Sequence, residues 1–386
     1  MRVVDLFAGC GGLSKGFEEA GFELTLAVER WEPARAVYKM NFDHIVSDMD
    51  LSNVVDAAKL VARERPDVII GGPPCQEFSA AGKRVEGARA GLSLGFAEIV
   101  SSVRPKWFVI ENVIGIRNSS VWRTGKEKLA ETGYGITEVV LNAAYFGVPQ
   151  NRKRFFAVGC LGQAHNFLAD HLQHGSTESP MSVRDYLGSE LGIEFYYRHP
   201  RNWGRKAIYS IDEPSPTVRS TNRPVAPGYT AHPDDAGPIA LARSLTAEER
   251  ARIQTFNKDF VFSGYNTNKD VMIANAVPVN LAAHVGKAIL SFERGEYVEG
   301  EKAFHSWLMQ VQGYQNRTAG NVISRLHRVR RILEGVDPLG QPQDLIKKLE
   351  CADEYIRTSS SVRSQIKKAI RLRHEYIEKL IGASLA

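Results

Sequence analysis

The stretch Asp5-Leu6-Phe7-Ala8-Gly9-Cys10-Gly11-Gly12 closes the apolar run Val3–Phe7 and leads into Leu13–Ala20, whose apolar residues have helical spacing. A β-rich run, a turn with three glycines and a helix read as the opening of a βαβ unit. Glycines let the backbone approach a ligand closely, and the start of the helix offers unpaired N–H groups. No Gly-Lys-Ser/Thr follows, so the turn is not a phosphate loop.

Outward from this turn the alternation continues. Leu24–Val28 reads as a second strand and Glu32–Met40 as a helix with Pro33 in its first turn. Val68–Ile70, Trp107–Ile110, Val139–Leu141 and Phe155–Val158 read as further strands. The pattern predicts an α/β fold with a parallel, doubly wound, Rossmann-like sheet and ligands at the carboxyl ends of its strands. Beyond about residue 163 Pro, Gly, His and Tyr become frequent. There Leu245–Phe256 is a lone helix, with Thr246 and Glu249 spaced as a capping box. Met272–Leu290 has long helical periodicity, and in Val362–Leu380 the residues Ile366, Ile370, Ile377 and Leu380 share a face. The expected organisation is a catalytic and cofactor-binding domain over 1–162, a smaller irregular domain over 163–267, a helix returning to the first domain over 268–298, and a basic helical C-terminal domain over 299–386.

Composition supports a folded chain. Of 386 residues, 43% are hydrophobic and 24% charged, which excludes disordered and collagenous classes. No apolar run is long enough for a membrane span, and the N-terminus lacks the apolar stretch of a signal peptide, so a cytoplasmic protein without membrane contact is expected. The four cysteines form no Cys-x-x-Cys pair, which argues against a structural zinc site and for a reducing compartment. The net charge is +5, but residues 301–386 hold 15 Lys and Arg against 9 Asp and Glu, leaving 34 against 35 in residues 1–300. The basic excess therefore belongs to the last segment.

Four constellations carry chemistry. Glu29 follows Gly9 at about the spacing at which such folds hold a ribose hydroxyl, and Asp48 follows the next apolar segment, where it could accept from an adenine amino group. Cys75 lies in Gly71-Gly72-Pro73-Pro74-Cys75-Gln76-Glu77-Phe78-Ser79, a stiff loop at a strand's carboxyl end that suits a nucleophile, whereas Cys10, Cys160 and Cys351 read as small buried hydrophobes. Glu111, in Glu111-Asn112-Val113, would point into the same cleft and, raised by burial, could donate a proton to a ring nitrogen. In Gln150-Asn151-Arg152-Lys153-Arg154, alternation sends Arg152 and Arg154 to one side; a solvated basic edge is the competing reading.

In this order the motifs resemble the DNA cytosine-C5 methyltransferase family of restriction–modification systems. Pro216-Thr217-Val218-Arg219, Arg243-Ser244-Leu245-Thr246 through Gln254, and Asn275-Ala276-Val277-Pro278 resemble its late motifs, and the resemblance spans roughly residues 1–295. It implies a Rossmann-like methyltransferase sheet, S-adenosyl-L-methionine as cofactor, and no metal. Cys75 would attack C6 of a cytosine flipped out of a specific double-stranded DNA sequence, Glu111 would act on N3, and Arg154 with Arg152 would hold the carbonyl oxygen and Glu111. Phe7, Gly9, Gly11, Glu29, Asp48, Pro74 and Asn275 would hold the cofactor. Ala274 and Val279 stand where the family usually has Gly and Pro. Gln76, Ser79, Lys83 and Arg84, on a mobile loop over DNA, and Thr217 and Arg219 would contact DNA. Residues 163–214 occupy the place of the target-recognition region. The resemblance also implies functional pairing with a restriction endonuclease without a stable complex, and a monomer. A tRNA cytosine-C5 methyltransferase and a non-catalytic DNA-binding regulator on the same scaffold are the alternatives. The tail, residues 299–386, lies outside the pattern, and a further DNA- or partner-binding domain and a stabilising extension with a solvated basic face both remain open.

Overall fold

The computed structural model describes residues 1–74, 91–163, 165–177, 179–202, 204–294, 301–333 and 342–384. The chain divides into two compact units, residues 1–169 with 175–287, and residues 170–174 with 288–386.

The first unit is built on a seven-stranded sheet. Its strands are β1 (Arg2–Leu6), β2 (Glu23–Val28), β3 (Ile45–Ser47), β4 (Val68–Gly71), β5 (Trp107–Asn112), β6 (Tyr134–Asn142) and, after the two-residue β7 (Gln150–Asn151), β8 (Lys153–Leu161). Their order is β3-β2-β1-β4-β5-β8-β6. The first five pair in parallel, through crossovers that carry α1 (Gly12–Ala20), α2 (Glu32–Asn41), α3 (Val54–Arg63) and α4 (Gly91–Val103). α5 (Ser120–Glu131) then leads into β6.

The parallel sheet expected from the alternation holds only to β5. β8 runs antiparallel to both β5 and β6, between which it inserts. The reason is the connection: β6 and β8 are joined by a short segment without an α-helix, and parallel neighbours need a long crossover. Strands buried on both faces read as continuous apolar runs, which is why Val68–Ile70 and Trp107–Ile110 carry no alternation.

The irregular segment belongs to this same unit. After α6 (Ala169–Gln173), which falls almost wholly within the second unit, α7 (Val183–Leu187) precedes the three-stranded sheet β10-β9-β12, made of β9 (Phe195–Tyr197), β10 (Ile208–Ser210) and β12 (Ala242–Ser244). β11 (Ser215–Pro216) pairs with β7. α8 (Ala247–Ile253) starts at the capping box expected from Thr246 and Glu249. Tyr196, Ile211, Ile253 and Phe256 share one core cluster with Val37 and Tyr38 of α2, while α3, α4 and α5 bury Val61, Phe96 and Trp122 in another.

The single helix expected over Met272–Leu290 is two, α9 (Asn266–Asn275) and α10 (Val279–Glu293). Pro278 cannot donate a helical hydrogen bond and disfavours helical geometry before it, so the chain breaks at 276–278. Together Asn266–Glu293 are long and apolar enough to cross a membrane by composition, but 72% of the most apolar stretch is buried inside the protein, as befits core helices.

The second unit has its own core. α11 (Glu301–Gln310), α12 (Asn316–Ile332), α13 (Pro342–Glu350), α14 (Asp353–Ile356) and α15 (Ser360–Ser384) enclose Phe304, Trp307, Leu326, Leu349, Ile366 and Tyr376. Arg373 lies over the rings of Phe304 and Tyr376, 5.1 and 5.2 Å from their centroids.

In the first unit α1 meets α10 at glycine. A Cβ at Gly16 would stand 2.4 Å from the Cβ of Ala282 and 2.5 Å from the carbonyl oxygen of Val279, so only Gly permits this approach. Gly16→Ala should lower stability by about 1–3 kcal/mol through overpacking, read as an earlier denaturation midpoint by tryptophan fluorescence.

Candidate active site and its family

One cavity of about 540 Å³ opens at the carboxyl ends of β1, β2, β4 and β5. Of the residues singled out from sequence, Phe7, Gly9, Glu29, Pro74, Glu111, Arg152, Arg154 and Asn275 line it. Cys75, Gln76, Ser79, Lys83 and Arg84 lie outside the described residues.

The first turn explains one end. Phe7 has φ +62°, in the left-handed region that bulky residues avoid, and Gly9 has φ +58°. This backbone lets the Glu29 carboxylate accept from the N–H groups of Gly9 and Trp31, at 2.7 and 2.6 Å. Burial still pushes the Glu29 carboxyl above its ordinary range, against those hydrogen bonds and the charge of Arg35. Gly11 does not reach the cavity but packs: a Cβ there would meet the Phe42 ring at 2.4 Å.

Asp48 is not where the spacing suggests. Its side chain is 76% exposed, faces Arg35 at 3.9 Å and does not line the cavity. β3 ends at Ser47, and the turn that follows brings Asp50 and Leu51 to the cavity instead. Asp50 accepts from the N–H of Ser52 at 3.0 Å and from Arg30 at 2.5 Å, and these bonds lower its pKa.

Asp5 reads in the sequence only as the end of a strand, yet it lines the cavity and is fully buried. Its Oδ2 accepts from the Ser14 hydroxyl at 2.5 Å, and Ser14 accepts from the Tyr38 hydroxyl at 2.8 Å, with Nε2 of His44 2.8 Å beyond. Among the described residues Oδ1 has no hydrogen-bond partner. Burial, opposed by Ser14 and reinforced by the charge of Glu29, pushes Asp5 up to about 7. The signal for it is the motif's own first residue: a carboxyl directly before a Gly-rich turn.

At the other end, β5 and β8 bring Glu111 and Arg154 together. Nε of Arg154 lies 2.9 Å from Oε1 of Glu111, and both side chains are largely buried. Burial raises the Glu111 carboxyl, while Arg154 and Arg152 pull it back down. Arg152 is buried too, and it donates to the carbonyls of Ala274 and Ala276 at 2.9 and 3.1 Å, fixing the break between α9 and α10 beside Asn275. Those carbonyls lack helical partners at the break, so the guanidinium satisfies them. Asn112 donates to the Pro73 carbonyl at 3.0 Å, tying the end of β5 to the loop that leads to Cys75.

Thr217 and Arg219 lie apart from the cavity, on the irregular segment. Thr217 donates to the Asn151 carbonyl at 2.8 Å, and Arg219 donates to the His199 carbonyl. Burial, with the charges of Arg198 and Arg201, lowers Arg219 to about 10. Gln150 ties this segment to the sheet: it donates to Gln254 at 2.8 Å and accepts from the N–H of Val218 at 2.9 Å. The buried pair Arg250–Asp270 joins α8 to α9. Arrays of cations with few acids between them suit a polyanion.

The cavity can therefore hold a ligand with a cationic group between Asp5, Glu29 and Asp50, and it can present a buried acid paired with Arg154 to a second reactant. Comparison with known proteins gives the same region a family. Residues 1–291 match the C-5 cytosine-specific DNA methylase family. The chain is 52% identical over 297 residues to the Type II methyltransferase M.HindV of Haemophilus influenzae, covering 76% of this chain and 98% of that one. It is 47% identical over 293 residues to the Type II methyltransferase M.HgiDI of Herpetosiphon aurantiacus, covering 76% and 95%. Among solved structures it is similar to the Dnmt2 methyltransferase of S. pombe, with TM-score 0.57 and 19% identity over 76% of this chain and 98% of that one. The Entamoeba histolytica methyltransferase EhMeth shares the fold at TM-score 0.55 and 16% identity, with 76% and 98% covered. The chain belongs to the C-5 cytosine-specific DNA methylase family and is a DNA cytosine-5-methyltransferase.

Proposed function

We propose that the protein methylates C5 of cytosine within a specific double-stranded DNA sequence, through a flipped base and a covalent Cys75–C6 intermediate, and so protects DNA from a partner restriction enzyme. The observation that carries this reading is the Glu111–Arg154 contact inside the cavity, at the foot of the loop that leads to Cys75.

The cavity's residues fit S-adenosyl-L-methionine. Its volume lies in the usual range for small-molecule sites. The cofactor is cationic, and Asp5 offers a buried carboxylate oxygen without a partner among the described residues, with Glu29 and Asp50 as further acids. Phe7, Gly9, Pro74, Leu51 and Asn275 complete the cradle. Bound there, the cofactor supplies the methyl group. Asp50, rather than Asp48, is assigned to the adenine end.

C5 of cytosine is a weak nucleophile until C6 is substituted. The Cys75 thiolate forms a bond to C6, and the ring's electrons move toward N3. Glu111 donates its proton to N3, which neutralises the charge that would otherwise build up. Arg154 orients Glu111 and the cytosine carbonyl oxygen. The resulting enamine carries electron density at C5, where the methyl group is accepted. Loss of the C5 proton then expels Cys75 from C6 and restores the aromatic ring and the thiolate. A base in a duplex cannot reach Cys75, so it must swing out of the stack, at a cost of a few kcal/mol. The cations around Arg198, Arg201, Arg219 and Arg223 suit the phosphates of the duplex so held.

Bisulfite sequencing of a host genome expressing the protein should reveal protected cytosines within one short sequence; none at all would sink the reading. The protein should form a denaturation-resistant adduct with duplexes carrying 5-fluorocytosine at that sequence, and Cys75→Ser should form none. Glu111→Gln should lower kcat by about 10²–10⁴-fold. In the unaltered enzyme, kcat should fall as pH rises through the elevated Glu111 pKa, because the proton donor is lost; the variant should lack that limb. Asp50→Ala should weaken cofactor binding by roughly tenfold in calorimetry, the loss of a charge-assisted hydrogen bond, while Asp48→Ala changes it less than about twofold.

A further inference from the structure

The second unit lies almost wholly beyond the family match, which stops at residue 291. Residues 301–386, which fall within it, hold 15 Lys and Arg against 9 Asp and Glu. Its cations are not scattered. α12 and α15 lie side by side and antiparallel: Tyr314 meets Lys368 at 5.3 Å, and Arg325 donates to Gln365 at 2.5 Å. Toward the end of α12, Arg328 shares a shallow groove with Arg357 and Val362.

Helical spacing then defines a stripe. Arg317, Arg325 and Arg328 stand at i, i+8 and i+11 on α12, one row of an α-helix, and Lys368 and Arg371 stand at i and i+3 on α15. Arg317, Lys368 and Arg371 are exposed. Among the described residues no carboxylate lies within ion-pair distance of Arg317, Arg325, Lys368 or Arg371, whereas Lys367, Arg328 and Lys379 are paired with Glu350, Glu354 and Glu375. The acids thus sit at the margins. From Arg317 to Arg328 the row runs about 16 Å, at 1.5 Å per residue. That is the length of about five base-pair steps along the duplex axis, at 3.4 Å per step.

We propose that the α12–α15 seam is a second, sequence-independent DNA site that grips the phosphate backbone of the duplex this enzyme modifies. Charge complementarity selects the partner. Arg317, Arg325, Lys368 and Arg371, without carboxylate partners among the described residues and carried on two packed helices, fit the regular anionic spacing of duplex DNA, and the chain's reaction already commits it to DNA. The apolar core of Phe304, Trp307, Ile366 and Tyr376 packs beneath this unit's helices, independently of any carboxylate on the seam. This inference rests on the DNA methyltransferase assignment, and methyl transfer measured on the same preparations reports separately on that assignment.

The test uses the full chain. Binding to a labelled 40-base-pair duplex of arbitrary sequence is followed by fluorescence anisotropy from about 50 to 200 mM salt. Arg317→Gln, Arg325→Gln, Lys368→Gln and Arg371→Gln together should flatten the slope of log K against log salt by about 0.9 for each phosphate left unneutralised, roughly three phosphates in all. The lysine versions at the three arginines should restore most of the slope, which separates charge from folding. Lys347→Gln with Lys348→Gln, exposed on α13 away from the seam, should leave it unchanged. Methyl transfer at saturating DNA should persist in every variant. An unchanged slope in the quadruple variant overturns the proposal. So does an equal loss per charge in the α13 control, or a loss confined to RNA or to anionic vesicles.

Discussion

The pairing of β5 with β8 is the constraint on which the site depends. In this antiparallel register Asn112 faces Phe155 and Glu111 faces Phe156, so Arg154 emerges at the edge of the cavity just past the end of β5. A parallel β8 would carry the Arg152–Arg154 segment to the opposite edge of the sheet. The same register sets Gln150 against Gln254 and Val218, and Arg152 against the carbonyls of the α9–α10 break. β8 thus fixes the acid's partner, and the segment just before it, from β7 through Arg152, fixes the α9–α10 break and the anchor of the irregular segment. A slip of one residue in β8 would turn Arg154 to the other face of the sheet.

The electrostatics of the site follow from how that register balances burial against charge. Desolvation alone would hold the Glu111 proton tightly; two guanidiniums alone would keep the carboxyl ionised. The two effects oppose one another at a single carboxyl, and burial prevails. At the other end, Asp5 has burial without a cation, and its pKa rises to about 7. Burial raises both acids, but only Glu111 has arginines within reach to oppose it; Asp5 has the hydroxyl and N–H of Ser14. A ligand cation beside Asp5 would do for it what Arg154 does for Glu111.

Much of this is legible in the residues. Apolar runs and the Gly-rich turn locate six of the seven strands of the large sheet, because strands buried on both faces leave a continuous signal. β3, three residues long at the sheet's edge, leaves almost none. The direction of β8 is not legible from composition; it lies in the length of a connection, which local patterning does not report. Glu111, Arg152, Arg154, Glu29 and Asn275 are legible because strand ends and ordered motifs mark them. Asp48 and Asp50 flank one turn, and only the backbone after Ser47 shows that Asp50 is the one that lines the cavity. Asp5 escapes notice because a strand residue reads as core, and its neighbour Ser14 becomes its partner only once α1 has folded. Contacts of long range, such as Gln150 to Gln254, have no local signature at all.

Net charge misleads about where DNA contact belongs. Residues 1–300 are nearly neutral although they carry the reaction. The proposed cationic cofactor would call for acids such as Asp5, Glu29 and Asp50, and DNA for cations, so the two sets would cancel in the sum. Adding further cations near the cavity to strengthen DNA binding would draw Glu111 toward its ionised form and strip it of the proton it is proposed to donate. General affinity for phosphate is better placed on an element that does not line the cavity. At physiological ionic strength, screening limits exposed charges to within about 8 Å, so a cation's distance from the acid decides whether it retunes it. The basic excess beyond residue 300 is then what the chemistry of the first unit requires of any further attraction to DNA: that it be built elsewhere.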